Sequence, residues 1–304
     1  GSGNQMTGGR GRGRIEWGIK ALFFLFASAS ILTLGLIVVF LFWEGLPIFK
    51  KVSVFDFVFG EYWYPTYEPP DFGIFPLIVA SMAVTGFSSI ISIPLGVLTA
   101  LYLAEAASPG VREVVKPVIE LLAALPSVVI GFFGMVIVAP LLQQILDIPT
   151  GLNLFNASLM LAFMSIPTIC SISEDAIFSV PRELKEASLA LGATHWETIW
   201  RVTVPAAISG ICTAVILGMS RAIGETMVVL MVAGGAAASP RNLFDAVRPM
   251  PASIAAEMAE APFRGDHYHA LFATGIVLFF FTLLFNLLAD HISNKYRQVG
   301  AATL

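Results

Sequence analysis

Six apolar stretches, each long enough to cross about 30 Å of hydrocarbon as a helix, dictate what this chain can fold into. They lie at 21–43, 75–104, 117–146, 154–173, 206–233 and 270–289. In lipid every backbone N–H and C=O must be satisfied within its own segment, so runs of this length become helices. The expected fold is all-α, an integral membrane bundle of six transmembrane helices. Composition agrees: of 304 residues 57% are hydrophobic and only 12% charged, with a mean hydropathy of +0.82. A soluble domain carries about 25% charged residues. The fourth stretch is diluted by Ser158, Ser165, Thr168, Ser171 and Ser173, hydroxyls that suit a helix buried among others. Pro94, Pro126, Pro140 and Pro167 fall inside stretches, where kinks are tolerated if neighbours satisfy the freed carbonyls.

An even number of spans puts both termini on one side, and Lys and Arg choose which. The terminus side holds eleven (Arg10, Arg12, Arg14, Lys20, Arg112, Lys116, Arg182, Lys185, Arg201, Lys295 and Arg297). The other side holds five, Lys50, Lys51, Arg241, Arg248 and Arg264, with Arg221 left inside a span. Both termini are therefore expected in the cytoplasm of a cell whose plasma membrane the chain crosses. Residues 1–20 read as a flexible basic N-terminus without a secretory signal; Met6 would make a natural start and the residues before it an expression scar. Residues 21–292 read as a single transmembrane domain and 293–304 as a cytoplasmic tail. A net charge of −4 is too small to suggest a nucleic-acid partner. Cys170 and Cys212 lie in apolar segments with no paired spacing or nearby His cluster, so neither a disulfide framework nor a metal site is expected. The outer loop Glu44–Ile74 is aromatic and acidic, and its composition leaves open a rest on the membrane surface or an external partner.

Residues 181–205 form a polar, Gly-punctuated interruption between the fourth and fifth spans, on the cytoplasmic side by the charge count. Pro181 suits a first helical turn, after which Leu184, Ala187 and Leu191 share a face. Gly192 can stop that helix in the left-handed conformation. Thr194 opens a capping box, Thr-His-Trp-Glu, in which Glu197 reaches back to the Thr194 amide. A short second helix follows, with Trp196, Ile199 and Trp200 on its apolar side, and Pro205 stands where the next span begins. An amphipathic helical pair in this place invites something to dock.

Arg221 and Glu225 stand within the fifth stretch. An ionised side chain at the bilayer centre costs about 2.5–3.5 kcal/mol on insertion scales, so such residues are functional by default. On a continuous helix their i,i+4 spacing sets both on one face, where they can neutralise each other. Two readings compete: a salt bridge that locks helices, and a site for a translocated anion. A guanidinium fork matches a tetrahedral oxyanion. The carboxylate would accept a hydrogen bond from the proton of hydrogen phosphate, which sulfate lacks at neutral pH.

The 181–205 segment resembles the EAA loop of ABC-importer permeases. Glu186 and Ala187 match, Ser188 replaces the second Ala, Gly192 has the spacing, and Val202, Val204 and Pro205 supply the ending with Val for Ile and for Leu. R-A-I-G-E-T at 221–226, FGIFPLIVASM at 72–82, ALPSVVIGFFG at 124–134 and WEGLP at 43–47 are similar to motifs of phosphate-specific (Pst-type) ABC permeases. ETMVV and the N-terminal region look more like the C-type subunit than its A-type paralogue. The resemblance implies a type I importer permease of six helices. It implies phosphate contact by Arg221 and Glu225, and ATPase coupling through Glu186, Ala187, Gly192, Thr194 and Trp196. Implied partners are an A-type permease in a heterodimer, two cytoplasmic ATP-binding subunits and an extracytoplasmic phosphate-binding protein, all around a chain set in lipid.

The sequence has no G-x-x-x-x-G-K-[ST] phosphate loop and no nucleophile–base constellation. The chain is therefore expected to be no enzyme and to hold no cofactor, with ATP and Mg bound by partners. Ser127 and Thr168, each after a proline, either line a polar path or satisfy kinked backbone. Glu174 and Asp175 read as a solvated helix end, His195 as facing solvent or a partner. His267 and His269, at i,i+2, would not share a helical face for a metal. The rival functions are a permease for molybdate, sulfate or phosphonate, an ion-coupled transporter or channel, and a membrane scaffold.

Overall fold

Hydropathy and helix length meet in the computed structural model, which describes residues 8–301: among them, six helices are long and apolar enough to span a membrane. The chain runs through α1 (Gly8–Gly45), α2 (Val54–Phe59), a two-stranded hairpin β1 (Trp63–Tyr64) and β2 (Asp71–Phe72), and α3 (Phe75–Leu101). Next come α4 (Pro109–Ala123), α5 (Ser127–Phe133), α6 (Ala139–Leu146) and α7 (Leu154–Phe178). Then follow α8 (Arg182–Ala190), α9 (His195–Thr198), α10 (Val204–Ile223), α11 (Met227–Val232), α12 (Met250–Glu257) and α13 (Asp266–Ala301). Wide π turns join α3 to the following loop (Tyr102–Ala106), α5 to α6 (Gly134–Val138) and α9 to α10 (Ile199–Thr203).

The centre of the bundle is α7, against which α3 and α10 pack, with α13 against α10 and α1 against α13. The hydroxyls that dilute α7 fit this position: Ser158, Ser165 and Ser173 are buried. Ser158 bonds its own helix at Leu154 O (2.7 Å), and Ser165 reaches Gly218 O of α10 (3.4 Å). Close approach of the three helices is made by glycine. A Cβ added at Gly96 would lie 2.8 Å from Ile169 Cγ2, and one at Gly218 2.5 Å from Ile169 Cγ1. Ile169 of α7 is thus wedged between α3 and α10.

Three expectations about the helices change. The stretch drawn at 117–146 is two helices, because Pro126 denies the α4 backbone a continuation, and the spanning part is 127–146. What precedes it, α4, is amphipathic; its Arg112 and Lys116 reach the end of α7. Residues 8–20 belong to α1 rather than to a separate tail, although Gly8, Gly9, Gly11 and Gly13 disfavour helix; residues 1–7 and 302–304 lie outside the described residues. The fifth stretch breaks at 224–226, after α10.

Glu174, expected solvated, is 1% exposed, with Arg112 Nη2 at 2.8 Å and Lys116 Nζ at 3.2 Å. A buried carboxylate needs such partners, and they come from α4. Burial opposes the charge on Lys116, but hydrogen bonds to Asp175 and Glu174 outweigh it, so its pKa is raised. Asp175 remains exposed and pairs with Lys116 at 3.2 Å.

The outer loop folds back on the protein. Phe57 and Trp63 are buried with Ile74, Leu77, Met250 and Leu271 in one cluster. Trp63 Nε1 donates to both oxygens of Glu257 at 3.0 Å, a carboxylate that also pairs with Arg248 and lies 2.7 Å from His267 Nε2. His269 Nδ1 instead lies 2.6 Å from the Glu44 carbonyl. The two histidines therefore serve different neighbours.

Candidate functional site

Two polar interruptions carry the candidate residues. The first is the break after α10. Gly224 is the C-cap of that helix, and Glu225 and Thr226 leave the helical path before α11 starts. Glycine weakens the helix there, and in an apolar setting the opened amides need acceptors. Glu225 supplies one: its Oε1 accepts from Met227 N at 3.1 Å and Val228 N at 3.3 Å. The expected i,i+4 pairing with Arg221 fails for this reason, since it presumes a helix that runs through Gly224. Among the described residues Arg221 has no carboxylate within ion-pair distance and is exposed on the last turn of α10. Its neighbour Ser220 donates to Asn286 Oδ1 of α13 at 2.6 Å. An exposed guanidinium at the end of a packed helix, beside a carboxylate whose second oxygen makes no hydrogen bond among the described residues, can bind an anion that also carries a proton.

Ser127 opens α5 and Thr168 follows Pro167 within α7; both are half-buried. No hydrogen bond joins either hydroxyl to a backbone carbonyl, to Arg221 or to Glu225 among the described residues.

The second interruption is 181–205. Its parse survives folding: α8, a Gly192 turn at φ +86°, then α9 entered through a complete Thr194–Glu197 capping box. Thr194 N donates to Glu197 Oε2 at 2.9 Å, and Glu197 N donates to Thr194 Oγ1 at 3.2 Å. The faces differ from expectation. The chain leaves helix after Ala190, so Leu191 is 91% exposed rather than aligned with Leu184. Leu184, Lys185 and Ser188 form the half-buried side, while Glu186, Ala187, Leu189 and Ala190 point outward. Trp196 and Trp200 are exposed and meet edge to face at 5.8 Å, and Ile199 is buried. Glu186 has no ion pair among the described residues. Leu189, Leu191, Trp196 and Trp200 are thus exposed apolar side chains on this segment.

Sequence reasoning missed what holds this segment from behind. Lys185 Nζ lies 2.5 Å from Glu105 Oε1, in the π turn that ends α3. His195 Nε2 lies 3.4 Å from the Glu105 carbonyl, and the Ser188 and Thr198 hydroxyls are 2.9 Å apart. Local periodicity carries no trace of a partner eighty positions upstream.

Residues 92–298 match the family model described as the inner membrane component of binding-protein-dependent transport systems. The probable ABC transporter permease protein YqgH of Bacillus subtilis is 38% identical over 93% of this chain and 91% of its own length. The phosphate transport system permease protein PstC of Pasteurella multocida is 33% identical over 86% of this chain and 84% of its own. Among solved structures, a bacterial alginate ABC transporter in complex with an alginate-bound periplasmic protein is similar in fold, with a TM-score of 0.67. It is 17% identical, over 93% of this chain and 96% of that one. The MetNI methionine ABC transporter in inward-facing conformations gives a TM-score of 0.55 at 20% identity, over 74% and 94%.

Proposed function

This chain belongs to the family of inner-membrane components of binding-protein-dependent transport systems, and from that premise we propose that it is the C-type permease subunit of an ABC importer for inorganic phosphate. As a multi-pass plasma-membrane permease it works with an ATPase and a solute-binding protein. In the finer reading, an A-type paralogue pairs with it around the pathway and two ATP-binding subunits hold the ATP and Mg. A phosphate-binding protein then delivers cargo from outside, and this chain holds no cofactor and catalyses no hydrolysis. The 181–205 segment faces the cytoplasm with both termini, and offers Glu186, Ala187, Leu189, Leu191 and Trp196 to an ATPase cleft, with Gly192 and Thr194 setting its shape.

The observation that carries the cargo assignment is Arg221, a guanidinium at the end of α10 with no carboxylate paired to it among the described residues. Its donor fork fits two oxygens of a tetrahedral anion. Glu225, fixed through Oε1 by two amides, presents Oε2 as an acceptor for the hydrogen-phosphate proton. A fully deprotonated anion would meet that carboxylate with repulsion alone. Selectivity then follows from the protonation state of the cargo. The phosphate permeases that match most of this chain support the same cargo.

The test is ATP-driven uptake of radiolabelled phosphate by the complex in proteoliposomes, with sulfate, molybdate and phosphonate as competitors. Arg221→Ala and Glu225→Gln are expected to abolish uptake, by about 100-fold for the loss of a charge-assisted contact, while assembly and basal ATP hydrolysis persist. Disassembly of these variants would return the two residues to a structural role. A wild-type complex that takes up another of these oxyanions and not phosphate would remove phosphate as the cargo.

A further inference from the structure

We infer that the Lys185–Glu105 ion pair is the link through which displacement of the docking helix α8 is passed to α3, making both side chains positioning residues for transport. The inference rests on the permease reading above and adds the contact by which the permease is driven.

Adjacent residues on a helix project about 100° apart, and α8 uses this to work on two sides. Glu186 is exposed on the apolar docking surface. Lys185, next to it, turns inward until Nζ is 2.5 Å from Glu105 Oε1, with the two side chains 22% and 7% exposed. Glu105 is gripped twice, because His195 of α9 approaches its carbonyl at 3.4 Å. The Ser188–Thr198 contact at 2.9 Å ties α8 to α9, so the docking segment moves as one piece. Behind it, Leu184, Ile199 and Val204 pack in the same cluster as Leu101, Leu103 and Ala107.

Apolar packing alone resists separation but allows sliding, since dispersion contacts have no direction. A hydrogen-bonded ion pair held away from water has direction and length, and it resists shear as well. Its place matters too. Glu105 lies in a π turn, a wide and locally adjustable turn often found where helices work, and a second π turn (Ile199–Thr203) joins α9 to α10. A push on α8 thus reaches α3 at its end. Along α3, Gly96 meets Ile169, and Ile169 meets Gly218 of α10, less than one turn before Arg221. Packed contacts therefore run from the docking surface to the anion-binding arginine without a gap.

The experiment measures phosphate imported per ATP hydrolysed by the full complex in proteoliposomes. The variants are Glu105→Gln, Lys185→Met and the exchange Glu105→Lys with Lys185→Glu. Each single change is expected to lower the ratio by about threefold to tenfold, with assembly and ATP hydrolysis retained, and the exchange to restore most of it. Unchanged ratios in both single variants would overturn the link. So would a fall that the exchange does not restore, or single variants that fail to assemble, because either makes the pair a matter of local structure. A wild-type complex that imports a different oxyanion corrects the cargo alone, and the ratio measured with that anion still tests the link. A wild-type chain that binds no ATPase removes both.

Discussion

The chain interrupts its long helices with polarity twice, and the two interruptions are satisfied by opposite means. In 181–205 the backbone break is met locally: Gly192 takes φ +86°, and Thr194 and Glu197 cap each other within a few residues. Pro205 stands in the first turn of α10, directly after the π turn 199–203. At 224–226 the break lies inside an apolar run, and a carboxylate is recruited to close it. The first solution uses the commonest helix punctuation. The second uses an ionisable group as a cap and so separates it from the nearest opposite charge. Arg221 is left available because Glu225 is engaged elsewhere.

The comparison breaks hardest at Gly192. Proline there cannot adopt a positive φ, and it removes the amide that donates to Leu189 O at 3.0 Å. With no side chain near a Cβ at this position, only backbone conformation is challenged. Gly192→Pro is expected to lower transport per ATP by about tenfold or more, from a cost of about 3 kcal/mol to the turn. Complex assembly and basal hydrolysis checked alongside would localise the defect, and an unaltered ratio would show that the turn between α8 and α9 does not shape the docking surface.

Glu225 tests the other side. If its structural work is to cap α11, Gln keeps an acceptor for Met227 N and Val228 N, whereas Ala leaves both amides open. Glu225→Ala is then expected to destabilise the chain in detergent by about 1–2 kcal/mol, the cost of a lost cap, and Glu225→Gln by much less. Equal losses in thermal unfolding would say that the charge matters to the fold, as a salt bridge would require. Transport distinguishes nothing here, since both changes remove the carboxylate.

These two sites also show what a sequence can disclose. The spans were legible because length and hydropathy act segment by segment. The 181–205 segment was legible because Gly, the capping box and Pro are local signals. Arg221 and Glu225 were legible as unusual, but spacing could not say which was a cap, since it presumed helix through Gly224. The third stretch was misjudged because Val118, Leu121 and Leu122 at the end of α4 adjoin the apolar run of α5, and hydropathy has no view of Pro126 as a stop. The partners of Glu174 and Glu105 were invisible for another reason. These cations stand far along the chain, at Arg112 and Lys116 and at Lys185, and only packing brings them near.

The smallest expected effect sharpens the comparison most. Thr194→Ala removes the hydroxyl that receives Glu197 N and leaves the Thr194 amide bonded to the Glu197 carboxylate. Half of the capping box persists, and the site is exposed, so water can take the freed amide. A loss of about 0.5–1 kcal/mol is expected in thermal unfolding, with transport per ATP nearly unchanged. Glu225→Ala also removes a cap, and it leaves two amides open inside an apolar run, so it is expected to cost more than Thr194→Ala. The order of the two losses therefore measures how dry the 224–226 break is. An equal cost at both sites would mean that water reaches the amides beside Arg221, and with it an open aqueous route to that guanidinium.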